Sequence, residues 1–153
     1  MMRGTWAFLP LLVASCGPTG SGHPPRDLED HSLAILETVF RYELKQFVET
    51  PQEPAGTVVC LGIADGQHIA DPPEDLVARL AGGSGFLPES RCNGIVTVRL
   101  SAGPIERVSS TEVRVKGGFR LSTAASSAPL VYRVVWEGGD WHCLGPILGY
   151  DPL

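Results

Sequence analysis

The chain has 153 residues and a net charge of −5, with 43% hydrophobic and 19% charged side chains. That is enough apolar material for one domain with a core, and it excludes wholesale disorder. An acidic chain of this kind lacks the basic surface of a nucleic-acid binder, so nucleic acid is not an expected partner. Eighteen glycines and thirteen prolines point to long loops and a β-rich body rather than a helical bundle.

Residues 6–14, WAFLPLLVA, are wholly apolar and follow Arg3, the only early charge. Such a run is too short for a bilayer, which needs about 20 residues. A basic start, a short apolar run and small residues near a cleavage point make a secretory signal. Val13-Ala14-Ser15-Cys16 resembles the bacterial lipobox, an aliphatic residue and two small residues before a Cys. In that family the Cys thiol is joined to a diacylglycerol and the signal is cut before it. The resemblance implies that residues 1–15 are removed and that Cys16 becomes the lipidated first residue. Cleavage after Ser15 as an ordinary secretory signal is the alternative. Gly17 stands where an Asp is linked with inner-membrane retention, which favours the outer membrane if the host has two. Removal of residues 1–15 takes away one cation and no acid, moving the charge from −5 to −6. Such a surface gains nothing from anionic lipid, so attachment is expected to rest on the acyl chains.

Residues 17–25, GPTGSGHPP, read as a tether ending in two stiffening prolines. His23 sits in it as a solvated side chain. Residues 27–50 then read as a long helix: Leu33, Leu36, Val39, Phe40, Leu44, Phe47 and Val48 recur at three- and four-residue steps. Arg41, Glu43, Lys45 and Gln46 fall mostly away from that stripe. Asp27, Glu29 and Asp30 suit the helix start, and Pro51 and Pro54 its end.

Residues 56–64 form a buried-type strand. A short second helix begins with Asp71 as N-cap and Pro72 at the first position, has Leu76, Val77 and Leu80 on its apolar face, and stops at Gly82-Gly83. Residues 83–93 read as a loop. Strands follow at 94–100, at 111–116 with its continuation 119–123 past a bulge at Gly117-Gly118, and at 130–136 and 141–148. With Gly138-Gly139 as the hairpin turn, Trp136 faces Trp141 and Val134 faces Cys143 on the core side. Arg133, Glu137, Asp140 and His142 then share the outer face.

The expected fold is α+β: one long helix on a curved antiparallel sheet of about five strands, with a short helix beside it. The element order and the closing stretch VYRVVWEGGDWHCLGPI resemble the NTF2-like or cystatin-like architecture. That architecture hosts enzymes, ligand binders and adaptors, so it implies no activity by itself.

Asp65, His68 and Asp71 are metal-ligating types, but a turn at Asp65-Gly66 and a cap at Asp71 account for them, and no metal or other cofactor is expected. His142 reads as a solvated sheet-face histidine. Ser109, Ser110, Ser122, Ser126 and Ser127 lack a nucleophile-elbow pattern, and no catalytic residue is assigned. With Cys16 lipidated in an oxidising compartment, three cysteines remain for one disulfide. Val59, Leu61 and Ile63 turn toward the core, so Cys60 turns to the opposite face, away from core-facing Cys143. The pairing that follows is Cys60–Cys92 with Cys143 free, and Cys60–Cys143 is the runner-up. The functional expectation is a membrane-anchored binding or interaction module for an unidentified protein or small ligand. The alternative is a ligand binder or enzyme with an interior pocket.

Overall fold

Helix formation begins with Asp27, whose Oδ1 accepts the Glu29 N–H at 3.0 Å. That contact tightens residues Glu29–His31 into one 3-10 turn, and α1 runs from Ser32–Val48. The α-helix therefore starts later than the acidic residues suggest, one residue before the apolar stripe. The computed structural model describes residues 22–48, 58–81, 86–92, 97–121 and 129–148. The expected helix stop at Pro51 and Pro54 lies outside them, as do the side chains of Phe47 and Val48.

Ile35, Leu36, Val39 and Phe40 bury one face of α1. They meet a sheet of β1 (Val58–Asp65), β2 (His68–Ala70), β3 (Phe86–Pro88), β4 (Thr97–Arg107), β5 (Glu112–Leu121), β6 (Leu130–Glu137) and β7 (Asp140–Pro146). The order is β2-β1-β4-β5-β6-β7, with β3 also pairing with β1. The fold is α+β as expected, but the sheet is not a five-stranded antiparallel one. Among the described residues it has seven strands, and it is mixed, because β1 runs parallel to both β4 and β3. Strands β2 and β3 are three residues each, too short to show a period. The chain from β1 to β4 passes through α2 (Glu74–Ala81), and a crossover of that kind joins parallel neighbours where a hairpin joins antiparallel ones.

The expected bulge at Gly117-Gly118 is on the neighbouring strand instead. Gly117 and Gly118 pair in register with Ala102 and Ser101, and the shift falls between Ala102 and Ile105 in β4. Gly117 has another task. A Cβ there would come within 2.6 Å of the Tyr132 ring, so only glycine lets that ring lie across β5.

The β6–β7 hairpin has the expected register. Trp136 pairs with Trp141, Val135 with His142 and Val134 with Cys143. Gly138 and Gly139 take φ of +64° and +93°, as a tight primed turn requires. The two indoles meet edge-on with ring centroids 5.4 Å apart. Trp141 is 2% exposed, whereas Trp136 is only half-buried. Trp136 sits where α1 begins, and its second ring contact is His31 at 5.8 Å.

Strand β1 is covered on both faces. Val59 and Leu61 enter the core under α1, while Cys60, fully buried, turns outward. There it forms the disulfide with Cys92, whose Cα is 6.1 Å away. Closing the 32-residue separation removes unfolded-chain freedom worth about 3–4 kcal/mol in the chain-entropy account. The segment expected as a loop at 83–93 thus contains β3 and a 3-10 turn, Glu89–Arg91. Arg99 holds that turn through Glu89 Oε1 at 2.7 Å. Asp71 does not cap α2. Its Oδ1 accepts the Ser90 N–H at 2.8 Å and its Oδ2 the Ser90 hydroxyl at 2.6 Å. Those two hydrogen bonds hold the Asp71 carboxyl below the usual aspartate range. The helix starts instead at Glu74, with the Pro73 carbonyl accepting from Leu76 and Val77. Helix α2 adds Leu76 and Leu80 to the core, and Arg79 Nε ties it to Glu37 of α1 at 2.8 Å.

Truncating a core tryptophan costs about 3–5 kcal/mol. Urea unfolding of Trp141→Ala is expected to show a loss of that order, and Trp136→Ala a smaller one. A Trp141→Ala variant as stable as the parent chain would contradict the hairpin packing.

Candidate functional site between helix and hairpin

Position 43 lies four residues after Val39 and three after Phe40, so helical spacing carries it onto the sheet-facing side of α1. Glu43 is 4% exposed. A charged side chain in this group is expected to fall mostly away from the apolar stripe, and Glu43 does not. The spacing held the correct signal and the residue type concealed it.

Glu43 meets β6. The Tyr132 hydroxyl donates to Glu43 Oε1 at 2.7 Å, and Oε2 has no hydrogen-bond partner among the described residues. The Tyr132 ring passes over Gly117 and meets Tyr42 edge-on at 5.9 Å. Tyr42 in turn rests on Gly145, which has φ +105° and where a Cβ would lie 2.7 Å from the Tyr42 hydroxyl. Half-buried Cys143 lies one strand over from Tyr132. Two glycines therefore make room for two tyrosine rings beside one buried acid.

The electrostatics follow from burial. Desolvation pushes the Glu43 carboxyl up to about 8, against the opposing effect of the Tyr132 hydrogen bond. At neutral pH Glu43 keeps its proton. Burial, followed by the neighbouring Glu43 charge, raises the Tyr132 hydroxyl well above the ordinary tyrosine value. Burial also pushes the Cys143 thiol up to about 11, so this cysteine is a poor nucleophile near pH 7. The indole N–H groups of Trp136 and Trp141 also lack partners among the described residues. The arrangement offers a neutral acid with one oxygen unpaired, able to hold or release a proton near neutral pH.

The other candidates are scattered. Cys16 lies outside the described residues, as do Ser122, Ser126 and Ser127. His23 is exposed. Asp65 and His68 face each other across the β1–β2 turn and are exposed, while Asp71 is occupied by Ser90. Among the described residues no group of three or more His, Cys, Asp or Glu could hold a metal ion. His142 is exposed, its Nε2 3.1 Å from the Glu137 carbonyl oxygen. Ser109 and Ser110 lie in the β4–β5 turn, where Ser109 Oγ accepts the Thr111 N–H at 3.2 Å. Of the sequence-assigned pairs, Cys60 and Cys92 are brought together and Cys143 is left as a free thiol.

No protein-family model matches the chain, and neither a curated protein nor a solved structure matches it.

Unfolded, Glu43 loses its proton near pH 4.5, whereas folded it holds the proton up to about pH 8. The native state therefore binds the extra proton between those values, and its stability falls as pH rises, by at most about 1.4 kcal/mol per unit. The isosteric Glu43→Gln should lose this dependence and exceed the parent chain in stability at pH 8. Denaturant titrations at several pH values check this, and parallel profiles for the two proteins would contradict it.

Proposed function

We propose that this chain is an exported, lipid-anchored binding or interaction module. The observation that carries the exported half of this reading is the Cys60–Cys92 disulfide, both of whose cysteines are fully buried. Disulfides persist in oxidising compartments such as the bacterial envelope. The apolar run and the lipobox-like Val13-Ala14-Ser15-Cys16 supply the anchor. In this reading residues 1–15 are a signal peptide, 16–26 a lipidated cysteine with its tether, and 27–153 one α+β domain. Membrane attachment runs through acyl chains on Cys16, and the lack of an Asp at position 17 favours the outer membrane in a two-membrane host. No helix among the described residues is long and apolar enough to cross a membrane.

The NTF2-like or cystatin-like architecture belongs to the same proposal, supported by one long helix laid across strands β4 to β7. A second reading, an interior small-ligand or catalytic pocket, is favoured by one observation. The Glu43 carboxyl is placed between helix and sheet with an unpaired oxygen, which is where such a domain would receive a ligand.

Intact mass of the protein from its native host should show loss of residues 1–15 and gain of lipid, with the protein in the membrane fraction. Cys16→Ser should release processed protein or stall its processing. A soluble, processed protein with an unmodified Cys16 thiol would overturn the anchor.

A further inference from the structure

The net charge of −5 averages over faces that differ. Pairing in the sheet sets Arg99 directly opposite Arg120, and Arg114 directly opposite Arg133. Alternation along β5 puts Lys116 on the same face as Arg114 and Arg120. This is the outer face, because Val113 and Val115 of β5 enter the core. Five of the chain's twelve cations therefore lie on one side of three adjacent strands. Like charges directly opposite one another oppose sheet pairing, so the arrangement asks for an anion.

The acids on this face neutralise only part of it. Glu89 takes Arg99 at 2.7 Å, Glu112 takes Arg133 at 2.8 Å, Glu106 stands opposite Arg114, and Glu137 shares the face at the hairpin end of β6, away from Lys116 and Arg120. Lys116 and Arg120 are exposed, and neither has an ion-pair partner among the described residues. The helical side carries the opposite balance, with Asp27, Glu29 and Asp30 before α1 and Glu74 and Asp75 opening α2.

We propose that the outer face of β4, β5 and β6 docks on anionic phospholipid headgroups, with Lys116 and Arg120 as its free cations. This rests on the lipid-anchor reading above. If Cys16 is the anchor, it stands ten residue steps before Arg26, a span of at most about 35 Å. The Arg26 carbonyl is held by Arg107 Nη2 at 3.1 Å, at the end of β4. The tether thus leaves the domain at the end of the same sheet, and the ten-residue β5 is about 33 Å long. The whole face lies within reach of the bilayer. A second copy of the chain would meet this face with like charge, whereas anionic headgroups complement it.

The chain has two lysines, Lys116 on this face and Lys45 on α1, so amine labelling reads the docked face against an internal reference. The full chain is placed on phosphatidylcholine vesicles, with or without about 30% phosphatidylglycerol, and acetylation of each lysine is followed by mass. The expected result is slowing of Lys116 by about fivefold on the anionic vesicles, the effect of one cation at such a surface. Lys45 should be unchanged. High salt should remove the protection, and so should Arg120→Glu. Equal Lys116 rates on both vesicles, equal protection of Lys45, or protection that survives Arg120→Glu would each overturn the proposal. So would protection by soluble polyaspartate but not by vesicles, which would assign the face to an acidic protein. Failure of the anchor is read separately from the intact mass of the same sample. Where Cys16 carries no lipid, the chain is coupled through that thiol to a maleimide lipid in the same vesicles; the same protection of Lys116 is expected, and its absence would overturn the docking face.

Discussion

Alternation along β1 is the constraint on which the surrounding structure depends. Successive side chains of a strand point to opposite faces, and here both faces are used. Val59 and Leu61 go under α1, and Cys60 goes to the other side, where the sheet would otherwise be open. The disulfide to Cys92 brings the Glu89–Arg91 turn over that side, and Arg99 and Asp71 fasten the same turn by hydrogen bonds. The chain can reach there only by passing around the free edge of β1, where β2 and β3 pair with it. Parallel pairing of β1 with β4 follows from that excursion. One residue's slip in β1 would exchange the two faces, putting a cysteine in the core and valine and leucine under the turn.

Features with a strong local period were legible from the residues. The hairpin register from Trp136 to Trp141 follows from Gly138-Gly139 and alternation, and the Cys60–Cys92 pairing follows from the parity of β1. Helix α1 follows from its apolar stripe. Features decided by tertiary contacts were not legible. Strands β2 and β3 are too short to show alternation and exist because β1 offers an unpaired edge. Asp71 has the sequence signature of an N-cap, but Ser90, nineteen residues on, offers both a hydroxyl and an N–H. Position 43 was hidden by its charge, although its spacing from Val39 and Phe40 marks it as inward.

Glu43 shows how the fold tolerates that placement. An ionised carboxylate in this position would be costly to desolvate. The protein keeps the group protonated and gives it one strong partner, the Tyr132 hydroxyl. Gly117 and Gly145 are the backbone adjustments that let Tyr132 and Tyr42 occupy their places. Charge is handled differently outside. On the outer sheet face Lys116, Arg120 and Arg133 stay in solvent, while Arg99 and Arg114 are half-buried, and all five lie away from the acidic helix starts. A single net charge describes neither environment.

The central claim, that the two faces of β1 are divided between the helical core and a disulfide-pinned cover, is tested most directly by peptide mapping of the unreduced protein after export. The account predicts one linked pair of peptides, containing Cys60 and Cys92, and a free thiol at Cys143 that reacts slowly until the protein unfolds. A linked pair containing Cys143, or three free thiols in the exported protein, would contradict it.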